Sequence, residues 1–473
     1  MKKQYFLWAL VFLTLSTTAQ IINIPDANFK AKLLAASPSN SIAASGFVNV
    51  KIDTNNNNEI EVSEAQQITN LNVSIAEIYN STGIEYFTNL RTLNFSQNHI
   101  PTLDVSNLTN LKSLYCNLNL LSSLDLTGLT NLLNLECAEN ILTQLIFANA
   151  TSIQNLSCRF NFLPTLDVSG LTNLQTLHFD YNQLSTINLS NLTQLTELGF
   201  QSNQFTSIDL SALVNLVWLN CSFNQLSALD LTGLNAITTL NCANNQITSL
   251  DLVNASQLHL LNCEYNQISN PIILNGMSDL QSVYCHNNLI PSFDFIDLTS
   301  LEVLDCSANQ IATLDVSGLP VLSLLNCHDN ALLTYLNIKN GSNESFLDFS
   351  NNPNLLNICV DSEQLNTVQN LIAQYGYPNC QASSTCDMGT AQLGWTTTIK
   401  VYPNPAKNNI QVQVQEAILV NSVIVYDVLG RLVQETSCTS DKTTLDVSTL
   451  KTGTYFIKVN TDRGIANAKF LKE

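Results

Sequence analysis

Basic side chains are almost missing from the middle of this 473-residue chain. Between Ile68 and Ile358 only Arg91, Lys112, Arg159 and Lys339 carry positive charge, against 22 acidic residues, while nine of the 18 Lys and Arg lie from Lys400 onward. Nucleic acid and anionic membrane call for a basic surface, so a formal charge of −19 distributed this way argues against both. Cations, basic proteins and neutral sugars remain. Long apolar runs are also scarce: after the first 20 residues none reaches the ~20 residues of a membrane span, and no transmembrane helix is expected in the mature protein. No G-x-S-x-G, H-E-x-x-H, P-loop or dinucleotide fingerprint occurs. Catalysis is not expected.

The one apolar run is terminal. Met1 to Gln20, MKKQYFLWALVFLTLSTTAQ, has two lysines, an apolar segment through Leu15 and small residues ending at Ala19. This is the layout of a secretory signal over residues 1–19, with Gln20 as the mature N-terminus. Export makes the cysteine content a question, because exported thiols usually pair.

A repeat answers it. Asparagines recur at Asn98, Asn119, Asn140, Asn161, Asn182, Asn203, Asn224, Asn245, Asn266, Asn288, Asn309, Asn330 and Asn352, every 21 residues with two steps of 22. The unit reads L-x-x-L-x-C/F-x-x-N-x-L-x-x-L-D-L-S/T-x-L-T-N. Over residues 71–358 it resembles the leucine-rich repeat family. That resemblance implies an α/β-type, β-dominated right-handed solenoid of about 13 repeats, with a concave parallel sheet. At ~4.8 Å per strand it extends about 60 Å.

Strand alternation explains the columns without the name. In Leu216 to Ser222, Leu219 and Cys221 fall on one face, and Trp218, Asn220 and Ser222 on the other. The recurrent Asn sits at the bend after each strand, where its amide is expected to serve backbone groups of its own coil and the next. Nine cysteines, Cys116, Cys137, Cys158, Cys221, Cys242, Cys263, Cys285, Cys306 and Cys327, share one inward column with Phe95, Phe179, Phe200 and Phe349. A position that accepts Phe in place of Cys requires apolar volume, so these thiols are expected to be free and buried. Adjacent rungs at ~4.8 Å also lie outside the ~3.5–4.5 Å Cβ separation of a relaxed disulfide.

The flanks differ. Within residues 20–70, Ile24 to Ala35 reads as a capping helix started by Asp26, with Phe29, Leu33 and Leu34 on one face. Asp53 to Glu64, DTNNNNEIEVSE, places Asp53, Asn55, Asn57, Glu61 and Glu64 at loop positions 1, 3, 5, 9 and 12, and Glu59 supplies a carbonyl. It resembles the EF-hand loop, which implies calcium at those six residues in a rigidifying role. Asn58 replaces the usual Gly and two usual aspartates are asparagines, which implies reduced affinity. Residues 359–395 break the repeat as a C-terminal cap and linker. Val368, Leu371 and Ile372 there suit an amphipathic helix, and two of Cys359, Cys380 and Cys386 are expected to pair.

From residue 396 to 473 short alternating segments predict an antiparallel β-sandwich of roughly seven strands. Tyr402-Pro403-Asn404-Pro405, Val425-Tyr426-Asp427, Gly430-Arg431, Gly453-Thr454-Tyr455 and Lys469-Phe470-Leu471 resemble the C-terminal sorting domain of type IX secretion. The resemblance implies recognition by an outer-membrane export machine, and a secreted or outer-surface location on a Gram-negative bacterium.

The remaining candidates lie on the outward strand columns. Tyr115, Arg159, His178, Trp218, Tyr284, His286, Asp305 and Phe346 stand among Asn, Ser and Thr there, as an aromatic-studded polar surface suited to a protein or glycan. His286, His328 and Asp305 offer a weaker metal reading. On the opposite side Asp104, Asp125, Asp167, Asp209, Asp230, Asp251 and Asp315 recur, and local bonding to Ser and Thr hydroxyls is expected to hold them, with ion binding as the alternative. Taken together, these readings describe an exported surface protein that binds a partner, in the manner of the internalin-like proteins it resembles in fold, with adhesion as the role. The alternative is a passive component of the surface layer.

Overall fold

The computed structural model describes residues 20–386 and 400–473, apart from 414–419, 428–430, 441 and 462–463. The signal segment and Gly430 lie outside the described residues. Two compact units result, up to Thr385 and from Cys386.

In the first unit each repeat contributes one three-residue strand to a long sheet, from Asn70–Asn72 through Trp218–Asn220 to Phe346–Asp348. These strands pair in parallel and in register: Trp218 faces Thr239, Leu219 faces Leu240, and Asn220 faces Asn241. A hairpin of Ala43–Ser45 and Val48–Asn49 closes the first edge, antiparallel to Asn70–Asn72. On the opposite side the chain forms short strand pairs, such as Ser123–Asp125 with Gln144–Ile146, and toward the end a four-stranded sheet from Thr313–Asp315 to Gln381–Ser383.

The middle residue of each strand and the residue after the strand point inward, as alternation requires. Leu219 and Cys221 are fully buried, as are all nine column cysteines and the four phenylalanines that replace them. The nine are free thiols. Burial pushes them well above an ordinary thiol, Cys242 to about 12. They fill volume, and Phe179 and Phe200 do the same with rings 5.8 Å apart.

The asparagine column is equally regular, with one difference from expectation. Asn224 donates from Nδ2 to the carbonyls of Cys221 (3.1 Å) and Ser222 (3.2 Å) in its own coil and of Phe200 (3.0 Å), while its Oδ1 accepts from Phe205 N–H (3.1 Å). Phe200 and Phe205 belong to the preceding coil, not the next. The direction follows from the bend, which turns the amide back toward the rung already laid down. A second asparagine, at the end of the repeat, does likewise: Asn110 donates to Thr88 O and Asn215 to Thr193 O.

The bend itself is strained. The residue before each column asparagine has a left-handed φ, including Leu118, Phe160, Tyr181, Phe223 and Tyr265 at 50° to 56°. Such a conformation costs roughly 1–2 kcal/mol for a residue with a Cβ, and the flanking amide bonds hold it in place.

Helices and strands cover both ends. Helix α1 (Ala27–Leu34) starts at Asp26, whose Oδ1 accepts from Phe29 N–H and whose Oδ2 accepts from Tyr79 and Asn80 N–H, tying the cap to the first coil. Phe29 and Leu33 are buried and Leu34 partly so. Helix α2 (Val62–Ala65) follows the acidic loop. At the other end helix α3 (Leu365–Tyr375) buries Val368 and Ile372, and Gln381–Ser383 adds a strand beside Asn357–Cys359. Tyr377 Oη accepts from Asn352 N–H and donates to Phe349 O, sealing the last rung. Cys359 and Cys386 are disulfide-bonded; Cys380 is a free, buried thiol.

The second unit contains antiparallel sheets of three and four strands among its described residues, consistent with a β-sandwich. Ile410, Val423, Ile457 and Phe470 lie in its core. Its motif residues make local and long-range bonds: Asn404 Oδ1 accepts from Leu471 N–H (2.8 Å), joining the segment after the first strand of the unit to the last strand, and Asp427 receives Arg431 Nε (2.7 Å) four residues on.

Candidate functional site

The long sheet presents the first and third residues of every strand outward. Most are Asn, Ser or Thr, and they interlock: Ser222 Oγ donates to Asn220 Oδ1 (2.7 Å), which leaves Ser222 buried although it faces outward. Against this background, in which Asn326 Oδ1 is also buried without a partner, the eight candidates fall into two groups.

Tyr115, Arg159 and His178 line one depression of about 270 Å³, together with Glu136 and Ser157. Trp218 leans toward it, with ring centroids 5.4 Å from His178. The contact spans an intervening rung because that rung carries Gly199. A Cβ there would lie 3.1 Å from both Asp180 carboxylate oxygens and from His178 Cδ2. Two nitrogens in the depression, Arg159 Nε and His178 Nε2, are buried without a hydrogen-bond partner. Burial pushes the His178 imidazole down, against the opposing pull of Asp180, so it is neutral in physiological buffer. Asp180, which accepts from Gln201 N–H (2.9 Å), is itself pushed up by burial.

Tyr284 and Asp305 are direct neighbours on the second part of the sheet. His286 pairs with Glu264 (2.6 Å), His328 with Asp329 (2.5 Å), and Asp305 accepts from Ser307 and Asn326. Each histidine thus has its own carboxylate. No three His, Cys, Asp or Glu side chains converge as a metal site among the described residues, so the His286–Asp305–His328 reading falls. Phe346 is on the terminal strand, half exposed, two rungs beyond Asp305.

The recurrent aspartates of the opposite side are held locally, but by backbone more than by the expected hydroxyls: Asp104, Asp209, Asp251 and Asp315 each accept from the N–H two residues on. At Asp125 and Asp167 the Thr127 and Ser169 hydroxyls add a bond and hold the carboxyls below the usual range.

In the cap loop Asp53, Glu61 and Glu64 are all buried, with Lys51 Nζ 3.7 Å from Asp53. Glu64 differs from its expected place as an end ligand: Oε1 accepts from Thr54 N–H and Oγ1, and Oε2 from Glu61 N–H. Glu61 Oε1 accepts from the Asn55 and Asn57 amides, while its Oε2 is buried and unpaired. Glu59 is bound to Lys30 (2.6 Å). Asn56 and Asn58 are left-handed (φ 63°), so Asn58 does take the conformation for which glycine is usual.

Exposed apolar side chains at the left-handed positions, Leu118, Phe160, Tyr181, Phe223 and Tyr265, were not foreseen from the sequence. Phe160 and Tyr181 stack at 4.2 Å. Their signal was present in the column directly before the repeating Asn.

The stacked rungs, the amide ladder and the capped ends define a leucine-rich-repeat solenoid, followed by an antiparallel β domain. Residues 400–473 match the family described as the secretion system C-terminal sorting domain. No curated protein is a significant match to the chain. Among solved structures, the functional domain of InlJ from Listeria monocytogenes, described as including a cysteine ladder, is 23% identical with a TM-score of 0.53, covering 96% of this chain and 99% of its own. An internalin, inlF, of the same species is 25% identical with a TM-score of 0.50, covering 73% and 98%. The chain therefore has the internalin repeat fold and carries a type IX sorting tail, which indicates a secreted or cell-surface protein. No described helix is long and apolar enough to cross a membrane.

Proposed function

We propose that this protein is an adhesin, delivered by the type IX machinery after cleavage of residues 1–19 to the outer surface of a Gram-negative cell, where the long sheet binds a macromolecular partner. The observation that carries this is the depression holding Arg159 Nε and His178 Nε2, two buried nitrogens left unpaired together in one hollow of the long sheet. Unpaired buried polar groups cost roughly 1–3 kcal/mol each, and a ligand hydroxyl, which both donates and accepts, would recover that. The frame around them is preorganised by the ladder, which lowers the ordering cost of binding. Titration of the full chain onto candidate cell surfaces tests the reading. Saturable binding that Trp218→Ala weakens and Val253→Ser, off the sheet, does not is the expected result. A flat response on every surface leaves a passive surface-layer component in its place.

The cap loop supports a second reading, on the unpaired Glu61 Oε2. Asp53, Glu61 and Glu64 are buried carboxylates of one loop that do not converge as they stand; calcium, the hard ion that oxygen donors of Asp53, Asn55, Asn57, Glu59, Glu61 and Glu64 suit, would have to draw them together. Its contribution would be to rigidify the cap.

A further inference from the structure

We propose that the depression between Tyr115 and Trp218 binds a neutral pyranose unit of a surface glycan. This rests on the binding role assigned above to the long sheet and names the ligand class. Charge decides first. Arg159 is the only Lys or Arg between Lys112 and Lys339, and it shares the site with Glu136 and, on the next rungs, Asp180 and Glu197. The carboxylates outnumber the cation, so a uronic acid, a phosphate or an acidic peptide meets net repulsion, while a cationic ligand is drawn by that excess but repelled by Arg159 within the depression itself. A neutral polyol avoids both penalties.

Hydrogen-bonding capacity points the same way. A sugar hydroxyl both donates and accepts. Arg159 Nε offers an unpaired donor, His178 Nε2 an unpaired nitrogen 3.9 Å from Glu197, and the Glu136 carboxylate an acceptor to which Ser157 Oγ supplies one bond (2.9 Å). Aromatic walls complete the fit. Tyr115 stands at one end and His178 at the other, their strands three rungs, or ~14 Å, apart, with Trp218 two rungs further and packed on His178. Rings of this kind pack against the C–H faces of a pyranose while their polar atoms stay available. Gly199 leaves the gap through which Trp218 reaches His178. A protein partner would use the same Tyr, Trp and Arg anchors but set them in a wider, fully desolvated patch. The exposed apolar side chains Phe160, Tyr181, Phe223 and Tyr265 sit at the bend beyond the strands and do not line the depression, apart from the neighbouring backbone they share.

The test applies the fluorescently labelled full chain to an array of neutral and acidic oligosaccharides. In parallel, it is applied to cell surfaces treated with periodate, which cleaves sugar diols, or with protease. The expected result is binding to neutral glycans that survives high salt, loss of cell binding after periodate, and weakening by about tenfold or more in Trp218→Ala and Arg159→Gln. Gly199→Val, which fills the gap, weakens binding similarly; Leu324→Ser, five rungs away from Trp218 on the same sheet, does not. Thermal melts establish that each variant is folded. Binding confined to acidic glycans, or unchanged in all three site variants, overturns the proposal. Saturable cell binding that protease abolishes and periodate spares overturns the sugar assignment and keeps the binding role. No binding to any surface removes both.

Discussion

Replacing Asn224 by Ala tests how the coils are held. The side chain is buried and makes four bonds: Oδ1 to Phe205 N–H, and Nδ2 to the carbonyls of Phe200, Cys221 and Ser222. Truncation leaves the Phe205 N–H without its acceptor, at about 1–3 kcal/mol, while the three carbonyls lose one donor each, a smaller penalty because a carbonyl tolerates under-satisfaction. Strain at Phe223 (φ 54°) is no longer clamped from its C-terminal side. The sum is about 2–5 kcal/mol, and nearest-neighbour coupling in a solenoid confines most of it to adjacent coils. Hydrogen exchange should therefore accelerate by roughly 30-fold or more, at 1.4 kcal/mol per tenfold, in peptides covering residues 199–226. Asn188→Ala removes bonds only to Ser190 on the exposed side and should change exchange little. Equal effects of the two substitutions, or less than about a tenfold local change for Asn224→Ala, would refute a load carried by the ladder.

Three further outcomes are expected. A thiol reagent at mild alkaline pH should leave the nine column cysteines unlabelled until denaturant is added, because burial holds them protonated, and Cys359 and Cys386 unlabelled until reduction; rapid native labelling of Cys221 or Cys242 would contradict the packing. Hydrogen bonds from Thr127, Ser169, Ser211 and Thr232 hold Asp125, Asp167, Asp209 and Asp230 below their ordinary 3.8. Their stabilisation is thus complete above the unfolded value and is lost as pH falls through the folded ones, so the melting temperature should drop below about pH 4. The fourfold Asp→Asn variant should show a shallower drop, and parallel profiles would count against the assignment. Calcium should raise the melting temperature of the full chain and magnesium much less; Glu61→Gln should abolish the rise, and no rise in the parent would end the calcium reading.

Much of the fold was legible because a 21-residue period preserves strand phase. Cys221 and Phe200 announced their column by exchanging with one another, and Asp26 and Phe29 announced the capping helix by local spacing alone. What escaped notice depends on geometry between coils. The amide of Asn224 reaches backward to Phe200 and Phe205 because of how the bend turns, which no spacing states. The left-handed Phe160, Tyr181 and Phe223 occupy a conformation their residue type disfavours, imposed by the ladder and not by local preference. Trp218 meets His178 only because a rung between them has Gly199 in place of a side chain, a diagonal relation two repeats long. His286 and His328 shared a strand phase, yet each found a nearer acid, Glu264 and Asp329.

The most direct measurement is a footprint of the bound state, by hydroxyl-radical labelling of the full chain with and without the surface it binds. Protection of Tyr115, His178 and Trp218, with Val253 and Ile273 on the other side unchanged, is the predicted result. Protection confined to that other side, with the long sheet still open to the radical, would contradict the account.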